Sequence, residues 1–173
     1  MEPYRIRPAR LADLPLLPAI ERAASELFRQ TAYAHLVGSD DATRSFPHQP
    51  DYLTWVAVDA TDAPVGLAIA RPLANSLHLQ ELDVHPNHSR RGLGRRLIAA
   101  VADYAQSQGY TALTLTTFRS ISWNAPYYTR LGFRALETDE LPTDLQAIYQ
   151  SEIEHGLPMG DRVCMRRELI EDA

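Results

Sequence analysis

The chain has 173 residues, 45% of them hydrophobic and 23% charged, with a formal charge of -5 and a single cysteine. One domain of this size buries a core without staples, and the acidic balance argues against general nucleic-acid binding, which needs a basic excess. The lone Cys164 excludes an internal disulfide framework and a cysteine metal cluster. No apolar run reaches membrane-spanning length and no basic-then-apolar leader opens the chain, so a cytoplasmic, soluble, single-domain protein is the expectation, with its core over about residues 4–170. All 17 basic residues are arginine, which reads as coding bias.

In chain order, residues 4–10 alternate like an edge strand. Asp13 is placed to cap a helix whose start tolerates Pro15 and Pro18, and Leu17, Ile20, Ala24, Leu27 and Phe28 form a helical stripe. A short helix around Tyr33–Leu36 and a loop with Pro47 and Pro50 follow. "YLTWVAVD" and "PVGLAIARP" read as a hairpin across "ATDA", and "SLHLQELDV" as a third strand. A turn with Gly92 and Gly94 then opens a helix that ends near Gly109. "ALTLTTF" is a strand, "WNAPYYTRLG" a short helix stopped by Gly132, and "RVCMRREL" a closing strand. Residues 136–160 read as a long acidic loop with a helical piece around Leu145–Ile153. The fold class is mixed α/β: a mostly antiparallel sheet flanked by helices, with one central β-α-β crossover.

The glycine turn carries the chemistry. A helix N-terminus presents unpaired N–H groups and a partial positive charge. Gly92 and Gly94 let phosphate approach the backbone, and Arg90, Arg91, Arg95 and Arg96 add charge-assisted donors. Two nucleotide readings fail on the residues. A Walker A loop needs a lysine, and the third glycine of a dinucleotide fingerprint is missing near Ile98.

"LDVHPNHSRRGLGRRLI" resembles the acyl-CoA signature of the GNAT superfamily of N-acetyltransferases: a strand ending L-x-V-x-P, then R/Q-x-x-G-x-G/A, then a helix. "YYTRLGF" is similar to the superfamily's second marker, Y-x-x-L-G-F, and the order of elements agrees over nearly the whole chain. Ser89 stands where the signature has Arg or Gln, and Arg90 follows it. Ile121 stands where an asparagine is often found; Asn124 lies closer to the tyrosine, where it can cap the helix, touch the pantetheine arm, or both.

The resemblance implies a GNAT fold, acetyl-CoA as co-substrate, no metal, and direct acetyl transfer to an amine. It places the cofactor on Leu82, Asp83, Val84, Ser89, Arg90, Arg91, Gly92, Leu93, Gly94, Arg95, Arg96, Asn124 and Tyr128, with the Leu82 N–H polarising the thioester oxygen. Tyr128 matches the general acid for the leaving thiolate. His78 and Gln80 stand at positions where members often carry a base; His78 can titrate near neutrality and Gln80 cannot. Glu81 faces the reaction only if a bulge shifts the strand register. Glu21, Phe28, Tyr33 and Trp123 are candidate acceptor contacts, with Glu21 and Glu26 also readable as a solvated face. His85 and His88 are expected in solvent. The expected partner is a small-molecule amine, with no nucleic acid and no membrane, and a homodimer is compatible with the resemblance. A non-catalytic acyl-CoA sensor and a protein-directed acetyltransferase are the competing readings.

Overall fold

A computed structural model describes residues 3–37 and 50–169. The predicted loop around Pro47 therefore lies outside the described residues. Seven strands follow the order β1-β2-β3-β4-β5-β7-β6. The chain forms two compact units, Met1–Arg71 with Glu81–Asp103, and Pro72–Gln80 with Tyr104–Ala173.

In the first unit, β1 (Arg5–Pro8), β2 (Leu53–Val58) and β3 (Pro64–Pro72) pair antiparallel. Helix α1 (Leu17–Ser25) lays Leu17 and Ile20 against Val56, Val58, Leu67 and Ile69, all at most 4% exposed. Each such buried side chain contributes about 1.5–3 kcal/mol. The prolines behave as expected: Pro15 opens the 3₁₀ turn Leu14–Leu16 and Pro18 the first turn of α1. The apolar stripe stops early, because the chain tightens to a 3₁₀ helix at Glu26–Gln30. That winding turns Leu27 outward, 47% exposed.

Asp13 is not a side-chain cap. Its carboxylate instead accepts two bonds from the Arg7 guanidinium, at 2.7 and 3.1 Å, and one from the Arg10 N–H at 2.7 Å. Both side chains are largely buried, 13% and 7% exposed. The Arg7 hydrogen bond holds the Asp13 carboxyl below the usual carboxylate range, and Arg7 in turn is raised by Asp13. We expect Asp13→Ala to cost about 2–3 kcal/mol, since it leaves a buried guanidinium short of a partner. A thermal melt should fall by about 5–10 °C. A depressed carboxylate stabilises the fold above its unfolded value near 3.9 and loses that contribution as pH falls through its folded value. The gap between wild type and variant should therefore be widest above about pH 5 and close in acid.

Strand β4 (Ser76–Val84) carries an irregularity with consequences for the site. At one end the Leu73 N–H donates to the Ser76 carbonyl at 2.9 Å. Counting down both strands from that pair, Val65 falls opposite Val84. At the other end, however, the His85 N–H donates to the Val65 carbonyl at 2.8 Å. So β4 holds one more residue than β3 between the two ends, a bulge. The Asp83 carbonyl lies 3.1 Å from where a Gly66 Cβ would stand, so Asp83 presents its backbone to β3. Strand alternation then turns the Leu82 N–H toward the opposite edge.

In the second unit, β4 pairs parallel with β5 (Ala112–Phe118) over four residues, Ser76–Leu79 against Ala112–Leu115. β5 pairs antiparallel with β7 (Arg162–Glu168), which also pairs with the two-residue β6 (Arg134–Ala135). One face carries Leu77, Leu79, Leu113, Leu115 and Met165, all buried. The other carries Ser76, His78, Thr114, Thr116 and Cys164 and is covered by α4 (Thr143–Glu154), which packs Leu145 on Cys164 and Leu136. The helical piece expected around Leu145–Ile153 is this helix, somewhat longer than expected. It is tied down by Asp144, which accepts from the Ala74 N–H, and by Glu152, which accepts from Thr116 and Arg162. Burial pushes the Cys164 thiol up to about 12. We expect it to resist a small disulfide reagent at pH 8 in the folded protein and to react at once in denaturant; rapid native labelling would contradict this packing. Among the described residues no helix is long and apolar enough to cross a membrane.

Candidate cofactor and acyl-transfer site

The first unit supplies the turn that opens α2 (Leu93–Ser107). After Val84 the chain makes a 3₁₀ turn, Pro86–His88, closed by the Ser89 hydroxyl on the Pro86 carbonyl at 2.8 Å. Arg90 and Gly92 both adopt left-handed backbone, φ 59° and 72°. Such turns of backbone N–H groups make anion-binding hollows. The first bond into α2 (Leu93–Ser107) runs from the Arg96 N–H to the Gly92 carbonyl at 3.1 Å. The N–H groups of Leu93, Gly94 and Arg95 thus stand at the helix mouth. Leu93, 2% exposed, anchors the turn in the core, while Arg90, Arg91 and Arg95 are exposed around it. Arg96 is turned away in part, donating to the Tyr4 carbonyl at 3.0 Å.

Tyr4 was not legible as a site residue. Its hydroxyl bonds His88 Nδ1 at 2.9 Å, and the Arg91 guanidinium stands 5.7 Å from its ring centre. His85 and His88, expected in solvent, are half-buried and stack edge-on at 6.0 Å. His85 Nδ1 also accepts from the Asn87 N–H. These contacts brace the loop before α2. No sequence signal beyond proximity in the fold links Tyr4 to it.

Glu21, Phe28 and Tyr33 also belong to the first unit. Glu21 is 8% exposed, so the solvated-face reading does not hold for it. Glu26 does fit that reading: it is exposed and pairs with Arg29. Phe28 and Tyr33 are half-buried and linked through Thr31, whose hydroxyl donates to the Phe28 carbonyl and accepts from the Tyr33 N–H.

The second unit carries the tyrosine. Helix α3 (Ala125–Arg130) ends at Gly132, φ 90°, as its sequence predicts. The Tyr128 carbonyl receives the Leu131 and Phe133 N–H groups at 2.9 and 3.1 Å, and its ring packs edge-on against Phe133 at 5.8 Å. The Y-x-x-L-G-F spacing is therefore a helix stop that fixes the tyrosine. Asn124 takes the N-cap position, but its side chain does not cap; its Oδ1 accepts from the Thr117 hydroxyl at 2.7 Å. Trp123 is 40% exposed.

His78 is 1% exposed, with Nδ1 3.0 Å from the Thr114 hydroxyl, which also lies 3.3 Å from the Ser76 hydroxyl. Gln80, next on that face by alternation, has a buried amide oxygen with no hydrogen-bond partner among the described residues. Glu81 is half-buried. No group of histidine, cysteine and carboxylate side chains among the described residues is arranged to hold a metal.

Each unit thus supplies one of the two local features read from the sequence, the turn that opens α2 in the first and the glycine-stopped helix of Tyr128 in the second. A family model, the Acetyltransferase (GNAT) family, matches residues 18–133. The chain belongs to that family. Streptothricin acetyltransferase of Streptomyces lavendulae is 33% identical over 131 residues, 71% of this chain and 65% of that protein. N-acetyltransferase family 8 member 7 of Mus musculus is 30% identical over 100 residues, 54% of this chain and 44% of that protein. The matched part is thus less than two thirds of either relative. Among solved structures, the ribosomal-protein-S18-alanine N-acetyltransferase from Escherichia coli superposes with a TM-score of 0.68 at 20% identity, over 98% of this chain and 96% of that one. PaiA N-acetyltransferase from Thermoplasma acidophilum, in complex with coenzyme A, gives 0.67 at 17% identity, over 95% and 98%. These two likenesses speak to fold.

Proposed function

We propose that the protein transfers acetyl from acetyl-CoA to the primary amine of a small molecule. The observation that carries this is the left-handed Arg90–Gly92 turn at the mouth of α2, directly after the L-x-V-x-P strand. The backbone N–H groups of Leu93, Gly94 and Arg95, with the exposed arginines, hold the pyrophosphate. Backbone donors do the work that a side chain at Ser89 would otherwise share. The Leu82 N–H donates to the thioester oxygen as it gains charge. The amine nitrogen attacks the carbonyl carbon, the N–C bond forms and the C–S bond breaks. Tyr128 gives its proton to the departing thiolate, and the ammonium proton leaves to a base.

His78 is the favoured base, because it stands on β4 where members of the family often carry one and Thr114 fixes its ring. Glu81, on the same strand, is the second. The two separate by turnover: His78→Asn should lower kcat, whereas Glu81→Gln should leave it near the wild-type value. Streptothricin acetyltransferase and the amino-acid acetyltransferases among the relatives support a small acceptor. Their names do not extend to this chain's own substrate.

Thiol release from acetyl-CoA, followed at mildly alkaline pH over polyamines, amino acids, aminoglycosides, arylamines and short peptides, tests the reading. Release above the no-acceptor blank with one class of small amine is expected. Release with peptides alone would favour a protein-directed enzyme. Silence across the panel from protein that binds acetyl-CoA would favour a sensor.

A further inference from the structure

Tyr4 stands immediately before β1, and β1 is paired along its length with β2, so the sheet delivers this residue to the turn it touches. It grips the segment that opens α2 at three places. Its hydroxyl shares a hydrogen bond with His88 Nδ1 at 2.9 Å, and the two rings meet edge-on at 5.8 Å. The Arg91 guanidinium stands 5.7 Å from the centre of its ring. Its carbonyl accepts from Arg96 Nη2 at 3.0 Å.

Between the first two points of grip lies Arg90, a residue with a long side chain at φ 59°. Left-handed backbone at such a residue costs free energy and persists only where its surroundings over-determine it. Glycine at position 92 adopts that region freely, whereas Arg90 has to be held there. The contacts to His88, Arg91 and Arg96 fix the chain before Arg90, directly after it, and in the first turn of α2. The ring beside Arg91 also restrains a flexible side chain before any ligand arrives, which lowers the ordering cost of binding.

We propose that Tyr4 is a positioning residue for the cofactor, holding the left-handed turn at Arg90 and the Arg91 guanidinium in the form that receives the pyrophosphate of acetyl-CoA. This rests on the reading of that turn as the pyrophosphate site. Tyr4 acts through His88, Arg91 and Arg96, so its contribution lies in cofactor affinity.

Calorimetric titration of the full chain with coenzyme A tests it, with a melting curve recorded for each variant. The titrations are run well below the melt, where a fold that is merely less stable still binds as folded protein. Tyr4→Leu removes both the phenol and the ring and should weaken coenzyme A by about tenfold. Tyr4→Phe keeps the ring beside Arg91 and should recover part of that loss, binding about threefold more weakly than wild type. Wild-type binding with unchanged affinity in Tyr4→Leu would overturn this inference alone. An equal loss in the two variants would also overturn it, since the ring would then hold nothing. Absence of binding by the wild type would overturn the pyrophosphate reading and the inference together.

Discussion

Tyr128→Phe should lower turnover by about 10²–10⁴-fold while acetyl-CoA affinity stays nearly constant, as expected for loss of a general acid. The reason is local. The ring is fixed by Phe133 and by the backbone bonds that close α3 on the Tyr128 carbonyl, and a phenylalanine keeps both. Only the hydroxyl is lost. An interaction made in the transition state alone appears in kcat and kcat/KM together and leaves binding untouched. Steady-state kinetics beside calorimetric acetyl-CoA binding separates the two. A collapse of affinity would make the tyrosine a structural residue.

The reverse pattern is expected at the turn. Gly92 sits at φ 72° with nothing within 4 Å of where a Cβ would stand. Space is not the constraint there; backbone conformation is. Gly92→Val places a β-branched residue in the left-handed region, at a cost of about 1–3 kcal/mol. The turn then relaxes and the N–H groups of residues 93–95 lose their common aim. Acetyl-CoA affinity should fall by about 10–100-fold, with turnover at saturating cofactor falling less. Gly92→Asn, which tolerates that region better, should recover part of the loss. A bulky side chain at Gly94 should also weaken binding before turnover. Equal affinity in wild type and Gly92→Val would remove the turn from the cofactor site.

The strands were legible because their side chains alternate and their ends carry prolines, glycines and serines. "PVGLAIARP", "SLHLQELDV" and "ALTLTTF" are strands end to end. What escaped depends on contacts distant in sequence. Asp13 looks like a cap, yet Arg7 on β1 claims it. Leu27 fits a helical period but falls where the chain has already tightened. β6 is only two residues, and only β7 beside it makes it a strand. The bulge in β4 appears only against β3, because the period of one strand says nothing about its partner's count. The turn at the mouth of α2 and the stop after Tyr128 were readable because local backbone chemistry makes them: left-handed residues, a helix mouth, a terminal glycine. The histidines were not. His78 looks like any inward strand residue until Thr114 is placed beside it, and His88 acquires Tyr4 from 84 positions away.

The most direct test of the central claim is transfer itself. Acetyl-CoA labelled in the acetyl carbons is incubated with the protein and the best amine from the panel, and the amine is recovered and weighed by mass spectrometry. The account predicts an amine carrying one labelled acetyl on nitrogen, formed in step with free CoA and lost in Tyr128→Phe. Thiol release with no labelled amine, or equal labelling without the protein, would contradict it.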